Sequence, residues 1–472
     1  MSSEPHEMSA AELACTFHDG DLSPVEVTQA CLARIEALDS QINAFCLVDA
    51  DAALAQAEAS EKRWADGDPL SPLDGVPVAV KDLLLTKGWP TRRGSLTIDP
   101  KGPWNDDAPT IARLREAGAV LIGKTTTPEF GWKGSTDSPL TGITRNPWNC
   151  AKTPGGSSGG SSAALAARFA PLALGTDGGG SIRIPASFAG VYGLKPSFGR
   201  VPAYPLSPFG TVSHIGPMSR TVRDSAMLMN VISKPDARDW HSLPYEPTDY
   251  AAELEVSMRG KRIAYSPRLG YAKKIVPEVE TLVAAAAKRF EAMGAHVVQV
   301  DPPGGDASET FRNVWWAGAG LLLGDLPPEK KAQLDPGLRR MAEEGAAIPL
   351  KTYLQANAAR GAYGSKMRQF MESYDFLLTP SVATPAFDVG RVSPLDDDGR
   401  AWMQWTPFSF PFNLTQQPAA SINCGFTKDG LPVGLQIVGR MYDDAGVLAA
   451  SAAYEMVHPL FDKMPPDFEI YY

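Results

Sequence analysis

The sequence has 472 residues, 44% of them hydrophobic, which is enough to bury a large core in one domain or two. Its formal net charge of −10 and the lack of any basic run argue against nucleic acid or an anionic membrane surface as a partner. No apolar stretch reaches membrane-spanning length and residues 1–14 contain no signal-peptide core, so we expect a cytoplasmic protein.

The N-terminal segment 1–70 is predicted to be helical. Ser23-Pro24-Val25-Glu26 is a capping box with proline at the first helical position, and apolar residues follow it at helical spacing. A second, alanine-rich helix is predicted from about Asp49 to Trp64. We expect both helices to cover one side of a sheet.

A lysine follows the first apolar strand pattern. Residues 76–80 read as a buried strand, and Lys81 comes directly after them among Val, Ala and Leu residues. Burial disfavours the charged form of lysine, whose ordinary pKa is about 10.4, and so lowers that pKa. Asp82 would point to the opposite face of the strand and need not hold a proton on Lys81. Lys81 is therefore a candidate general base.

Two Gly/Ser clusters stand in the segment 153–190. Dense glycine indicates tight loops or a close backbone approach to a ligand. Between the clusters, residues 163–169 read as a helix and residues 171–176 as a buried strand. This order of elements would bring Ser157 in the first cluster close to Ser181 in the second.

The second cluster has the residues that acyl transfer requires. Three successive glycines before Ser181 could present backbone N–H groups to one oxygen, as an oxyanion hole does. Ser181 would be the nucleophile, and a serine hydroxyl needs a neighbouring base. None of the six histidines is near in sequence, so Lys81 is the better candidate.

Two rival motifs match literally. Residues 155–159 fit the G-x-S-x-G pattern of α/β-hydrolases, but such matches are nearly inevitable in a Gly/Ser run, and a loop rather than a strand precedes them. Residues 118–125 fit the P-loop pattern, but the four intervening residues are apolar. We interpret that segment as a strand that ends near Lys124.

The fold class follows from the alternation of elements. Short apolar strands alternate with helices between residues 75 and 193, which favours a mixed or parallel sheet sandwiched by helices. Further strands are predicted at 262–265, 295–300, 376–379, 419–424 and 433–438, and further helices at 221–233, 276–293 and 445–457. We predict an α/β protein with a single large domain, whose mixed, largely parallel central sheet is covered by helices on both faces.

These motifs together resemble the amidase signature family, whose Ser-Ser-Lys triad lies on a VAVKD-like segment, a GGSSGG loop and a GTDxGGS loop. Similar segments extend from the first helix to the last. The resemblance implies one amidase domain over 1–472, with 71–220 as catalytic core and 300–370 as a variable region that shapes substrate access. It also implies the amidase signature fold.

The resemblance also implies roles for particular residues. Lys81 would be the base, Ser157 a bridging serine after a cis peptide bond, and Ser181 the nucleophile. Other residues are implied as oxyanion donors (Gly178, Gly179, Gly180, with Ser181) and as loop supports (Thr176, Asp177, Arg183). Trp132, an aromatic residue on a loop-like stretch near the proposed site, is expected to contact the substrate, as are Gly156 and Ser158.

Two further positions bear on the pocket. Many family members carry a larger apolar residue where this chain has Gly178, so we expect a wider pocket beside the scissile carbonyl. Trp315 and Trp316 are adjacent and would point about 100° apart on a helix. We expect one of them in the core and the other at the cleft. His214 is expected to make a loop hydrogen bond rather than to act in catalysis.

The function implied is hydrolysis of the C–N bond of small neutral carboxamides, such as anilides and aryl or alkyl amides, with esters and carbamates (urethanes) as related substrates. No cofactor is expected, and the five cysteines lack metal-ligand spacing. The sequence is compatible with a homodimer.

Two alternatives remain open. The first is the glutamine-hydrolysing subunit of a tRNA-dependent amidotransferase, although residues 411–417 offer amides and no charge to hold glutamine. The second is a non-catalytic binding module, which the intact Lys81, Ser157 and Ser181 set argues against.

Overall fold

An 11-stranded sheet forms the centre of the molecule. The structure, a computed structural model, describes residues 4–394 and 402–466, so residues 1–3, 395–401 and 467–472 of the predicted domain lie outside the described part. The strands are β1 Phe45–Val48, β2 Pro77–Lys81, β3 Val120–Thr125, β4 Asp137–Ser138, β5 Gly142–Ile143, β6 Leu172–Asp177, β7 Tyr192–Lys195, β8 His214–Ser219, β9 Arg262–Tyr265, β10 His296–Gln299, β11 Phe376–Pro380, β12 Ala419–Phe426 and β13 Pro432–Gly439.

The sheet is mixed, with the order β1-β3-β2-β6-β8-β7-β12-β13-β11-β9-β10, while β4 and β5 pair separately. The pairs β2/β3, β2/β6, β9/β10 and β9/β11 are parallel. The other pairs in the large sheet are antiparallel. The predicted α/β class and mixed sheet are confirmed, but "largely parallel" is wrong. The short connection between β12 and β13 forces an antiparallel hairpin, and β8 inserts between β6 and β7 in the opposite direction.

The helices pack on both faces of the sheet. Along β11, the side chains of Phe376 and Leu378 belong to one hydrophobic core and that of Leu377 to the other, as the alternation of a strand requires. The helices are α1 Ala10–Asp19, α2 Pro24–Ile42, α3 Ala50–Ala65, α4 Pro109–Glu116, α5 Gly159–Ala166, α6 Arg183–Ala189, α7 Val222–Ile232, α8 Pro277–Ala292, α9 Ser308–Leu323, α10 Pro328–Lys331, α11 Pro336–Ala346, α12 Leu350–Met371, α13 Trp402–Trp405, α14 Pro411–Leu414 and α15 Asp444–Val457.

The predicted N-terminal helices form as the capping residues indicate. Ser23 Oγ accepts a hydrogen bond from the Glu26 N–H at 3.2 Å, and Glu26 Oε2 accepts one from the Ser23 N–H at 2.8 Å. Asp49 caps α3 through one hydrogen bond, which its side chain accepts from the Ala52 N–H. Buried residues of α2, such as Val27 and Ile35, share a core with the sheet, so these helices cover one face of it. Among the described helices, none combines the length and the apolar character that crossing a bilayer requires.

Candidate active site

Three elements bring Lys81, Ser157 and Ser181 together. Lys81 is the last residue of β2, and β6, its parallel neighbour, ends at Asp177, so the loop after β6 begins at the same edge of the sheet. Ser157 lies in the loop before α5, and the Ser158 N–H donates to the Ser181 carbonyl at 3.1 Å. The predicted proximity of the two Gly/Ser clusters is confirmed.

Lys81 contacts a cluster of three side-chain hydroxyl groups. Its Nζ lies 2.7 Å from Ser157 Oγ and 2.8 Å from both Ser158 Oγ and Thr176 Oγ1. The side chain is fully buried, and this burial lowers the pKa of Lys81 well below its ordinary value, although the Asp177 carboxylate acts in the opposite direction. A neutral amine surrounded by hydroxyl groups can accept a proton from one of them.

Asp82 points away from this cluster. Its carboxylate lies 3.2 Å from Lys124 Nζ, and Lys124 also donates to the Leu84 carbonyl and to Thr91 Oγ1, both at 2.8 Å. Lys124 is the fifth residue of β3, which ends one residue later, so the interpretation of its segment as a strand is confirmed. Asp82 is thus paired with another lysine, and among the residues that the structure describes no carboxylate forms an ion pair with Lys81.

The two serines that accompany Lys81 differ in exposure. The Gly156–Ser157 peptide bond is cis, as the resemblance implied, and Ser157 is 2% exposed. Ser181 is 7% exposed, and within the described residues its hydroxyl makes no hydrogen bond. Both serines line one cavity. Ser181 therefore presents an unpaired hydroxyl at the cavity, while Ser157 both lines the cavity and contacts the buried amine.

The backbone after β6 supplies hydrogen-bond donors beside Ser181, with one correction to the expected set. The Gly180 N–H donates to Asp177 Oδ1 at 2.7 Å, so it is already used inside the loop. Within the described residues the N–H groups of Gly178, Gly179 and Ser181 make no such bond, and Gly178 and Ser181 line the cavity. These three N–H groups are the ones available to an oxyanion.

Asp177 and Arg183 hold the loop in place. The Arg183 guanidinium contacts both Asp177 oxygens at 3.0 Å, and both side chains are fully buried. Burial alone would raise the pKa of Asp177, but Arg183 holds that pKa below its usual range. Arg183 also donates to groups that the sequence did not single out, namely the Ser409 carbonyl at 2.9 Å, Gln436 Oε1 at 2.7 Å and Asn413 Oδ1 at 2.7 Å.

Replacing Arg183 by methionine is expected to lower the free energy of unfolding by about 3–5 kcal/mol, because the Asp177 charge would stay buried without its partner. Urea unfolding measures this change. The matched control is Arg268→Met, which breaks the half-exposed pair with Glu280 and should cost under about 1 kcal/mol. Equal losses in the two variants would contradict the bracing role of Arg183.

The cavity at Ser181 has a volume of about 110 Å³ and a largely apolar wall. Its lining comes from the loop after β2, from the segment 203–215 and from α9, which lies in the region 300–370 that we expected to shape access. Besides Ser157, Thr176, Gly178 and Ser181, the lining residues are Leu83, Leu84, Arg93, Phe130, Gly131, Ala203, Ser207, Pro208, Phe209, Ser213, Ile215, Trp315 and Leu322.

The structure does not place the expected substrate contacts Trp132, Gly156 and Ser158 on this wall. Trp132 is 1% exposed and packs against Gly337 of α11, where an added Cβ would lie 2.4 Å from its ring. Gly156 lies against the backbone of Ser135. Ser158 is fully buried and contacts Lys81 instead of the cavity. Phe130 and Gly131, which precede Trp132 in the chain, line the cavity instead.

Gly178 does not widen the pocket as expected, because Trp315 fills the space. A Cβ at residue 178 would lie 2.5 Å from Trp315 Cζ3, and the Trp315 ring stacks on Phe209 with centroids 3.9 Å apart. Of the tryptophan pair, Trp315 lines the cavity, whereas Trp316 packs away from it and donates to Glu344 at 3.2 Å. We predicted one ring in the core and the other at the cleft. Trp315 is the ring that lines the cavity, although both rings are buried.

Gly178→Val is expected to lower kcat about 10²-fold, because the new side chain must displace either the stacked Trp315 ring or the Gly178 N–H beside Ser181. Steady-state kinetics on one amide substrate measures the effect. The double variant Gly178→Val/Trp315→Ala removes the obstructing ring and should recover most of the loss. Wild-type activity in Gly178→Val, or no recovery in the double variant, would contradict this packing.

His214 takes the structural part that we expected. Its Nδ1 lies 2.8 Å from the Val212 carbonyl and 3.2 Å from that of Asp177, and the side chain is 4% exposed. Burial lowers the pKa of His214 well below its ordinary value. Within residues 4–394 and 402–466, no cluster of His, Cys, Asp and Glu side chains has the arrangement of a metal site.

Sequence reasoning missed Arg93, Phe209 and the residues that hold Arg183. The only signal for Asn413 was its place in an amide-rich, uncharged segment, and nothing in the sequence connects that segment with residue 183. Phe209 and Arg93 lie in irregular stretches without periodicity, and only the folded chain shows that both line the cavity.

Comparison with known proteins gives three findings. The family model "Amidase" matches residues 26–448. Among relatives, the chain is 37% identical to a glutamyl-tRNA(Gln) amidotransferase subunit of Myxococcus xanthus, with 98% of this chain and 99% of the relative covered, and 36% identical to an acylamidase of Rhodococcus erythropolis, with 98% of each covered. The structure of a bacterial aryl acylamidase of the amidase signature family superposes with a TM-score of 0.91 at 32% identity, covering 98% of this chain and 99% of that one.

Proposed function

The chain belongs to the amidase signature family of hydrolases that act on amides, and we propose that it cleaves the C–N bond of small carboxamides through an acyl-enzyme on Ser181. One observation carries the proposal. A fully buried lysine, which has no carboxylate ion-pair partner in the described part of the chain, lies 2.7 Å from Ser157 Oγ, and Ser157 lines the same cavity as Ser181.

The proposed reaction begins with proton transfer from Ser181 through Ser157 to Lys81. Neutral Lys81 takes the Ser157 proton while Ser157 takes the proton of Ser181, whose Oγ bonds to the carbonyl carbon. The negative oxygen accepts hydrogen bonds from the N–H groups of Gly178, Gly179 and Ser181. The C–N bond then breaks, and the proton held on Lys81 returns through Ser157 to the leaving amine.

The second half of the reaction repeats these transfers with water. A water molecule gives a proton to Ser157 while Ser157 passes its own proton to Lys81, and the water oxygen attacks the acyl carbon of the ester on Ser181. The ester bond breaks, the carboxylic acid leaves, and Ser181 regains a proton from Ser157 as Ser157 takes one back from Lys81. Lys81, Ser157 and Ser181 then have the same protonation states as before the reaction.

The apolar wall supports amides whose reacting end is neutral and hydrophobic. Phe130, Phe209 and Trp315 line the cavity together with Leu83, Leu84 and Ile215. Such a wall suits anilides and aryl or alkyl amides, and the same acyl chemistry extends to esters and carbamates. Acylamidases among the relatives and structural neighbours support this substrate class.

A glutamine-hydrolysing subunit of an amidotransferase is the second candidate, which the similarity to the Myxococcus xanthus protein favours. Free glutamine carries an α-ammonium group that needs an acidic partner when it is bound. Among the described residues that line the cavity there is no Asp or Glu. The lining therefore supports the stand-alone amidase over the glutaminase.

A substrate panel tests the choice. We expect the purified chain to turn over a 4-nitroanilide, with an aryl ester and an aryl carbamate as further substrates, and to leave glutamine intact. Glutamine hydrolysis without anilide hydrolysis would overturn the stand-alone amidase in favour of the glutamine-hydrolysing candidate. No turnover of any panel member would point to the non-catalytic binding module.

A further inference from the structure

Arg93 is the only charged residue on the cavity wall within the described part of the chain. It lies in the loop after β2, and its carbonyl accepts a hydrogen bond from the Phe130 N–H at 2.8 Å. Gly131, which follows Phe130 in the chain, lies close to the bridging Ser157. A Cβ on Gly131 would lie 3.1 Å from Ser157 Oγ. The backbone of Arg93 is thus fixed beside the reacting groups.

The guanidinium of Arg93 has no partner in the described residues. It makes neither a hydrogen bond nor an ion pair there, although its side chain is half-buried and burial lowers its pKa. Arg183, by contrast, uses its guanidinium on Asp177, Asn413, Gln436 and the Ser409 carbonyl. A guanidinium has five N–H donors, and buried polar groups are normally hydrogen-bonded. Arg93 therefore keeps its donors free at the cavity.

The acidic groups near the cavity are already paired with other cations. Asp82 attracts the Arg93 guanidinium electrostatically, but its carboxylate lies 3.2 Å from Lys124 Nζ and forms an ion pair with that lysine. Asp177 is paired with Arg183. Lys81 favours its neutral form because it is buried. The Arg93 guanidinium thus faces a cavity whose other lining residues are uncharged and largely apolar, where an anion is attracted more strongly than in water.

We propose that Arg93 binds a carboxylate that the substrate carries away from its scissile amide. Planar guanidinium groups match carboxylates in a two-point geometry. This inference rests on the proposed amidase function and narrows its substrates, because the amide end stays neutral while the far end of the acyl group or of the amine bears the charge. The preferred substrates are half-amides of dicarboxylic acids or N-acyl amino acids.

Two matched pairs of probes separate these sources of the carboxylate. Glutaric acid mono-4-nitroanilide and valeric acid 4-nitroanilide differ only at the far end of the acyl group. N-benzoylglycine and N-ethylbenzamide differ only at the far end of the amine. In the wild type we expect kcat/KM to favour the acid of at least one pair by about tenfold to a hundredfold, the usual effect of a hydrogen bond to a charged group.

Substitutions of Arg93 test whether this residue causes the preference for the acidic probe. Arg93→Gln should bring the ratio of the two kcat/KM values close to one without abolishing turnover of the neutral probe, and Arg93→Lys should keep part of the preference. The control Arg92→Gln changes a neighbouring arginine that is absent from the cavity wall and should leave the ratio as in the wild type.

Binding to the Ser181→Ala protein makes the test independent of turnover. Calorimetry with both pairs should show the acid of the preferred pair binding more tightly than its neutral partner, and Arg93→Gln in that background should remove the difference. Equal binding and equal kcat/KM within both pairs would overturn the carboxylate site while the amidase proposal stands. Binding of the acid without turnover of any probe by the wild type would instead overturn the amidase proposal alone.

Discussion

Replacing Ser181 by alanine is expected to lower kcat for every amide substrate by about 10³- to 10⁶-fold, because the oxygen that bonds to the carbonyl carbon is lost. The cavity and the oxyanion N–H groups stay in place, so KM should change little. Steady-state kinetics with a 4-nitroanilide measures both constants. The same substitution at Ser373, an exposed serine far along the chain on the helix-to-strand turn after α12, is the control and should leave both constants unchanged.

A Ser181→Ala protein that retains more than about a tenth of wild-type kcat would contradict the nucleophile assignment, since losses at covalent nucleophiles are far larger. Ser157 would then be the next candidate, because its hydroxyl lies 2.7 Å from the same lysine.

Replacing Lys81 by methionine is expected to lower kcat by about 10³- to 10⁴-fold, because methionine fills a similar volume and cannot accept a proton. In the wild type, Lys81 is active as a base only above its own pKa, so kcat/KM should rise with pH and then level off. Burial lowers that pKa, which places the rising limb below the ordinary lysine value of 10.5. A pH–rate profile of the wild type and the residual rate of Lys81→Met measure both effects.

Lys124→Met is the matched control, since Lys124 is also fully buried and lies on the neighbouring strand. It should keep the rising limb of the pH profile while the protein loses stability, because Asp82 would lose its partner. A rising limb that disappears in Lys124→Met but persists in the residual activity of Lys81→Met would show that the base is not Lys81.

Local sequence patterns predicted the elements that carry the site. The apolar run before Lys81 indicated β2, the capping box at Ser23 indicated α2, and the order of loop, helix, strand and loop indicated that Ser157 and Ser181 meet. Each of these features depends on periodicity or on residues a few positions apart, which a single sequence displays. The resemblance added the cis peptide bond before Ser157, which no local pattern predicts.

Features that depend on distant contacts were not predictable. The Trp315 ring meets Gly178 because α9 crosses the loop after β6, so the vacant space expected at this glycine is filled from more than a hundred residues away. Asp177 takes the Gly180 N–H because Arg183 and Asn413 hold its carboxylate in that position. The direction of the central strands likewise depends on which distant strands pair.

The central claim is that Ser181 is the residue that becomes acylated, and the mass of the intact protein after treatment with a fluorophosphonate tests it most directly. We expect one adduct on the wild type, none on Ser181→Ala, and one on Ser373→Ala. No adduct on the wild type, or an adduct that survives in Ser181→Ala, would contradict it.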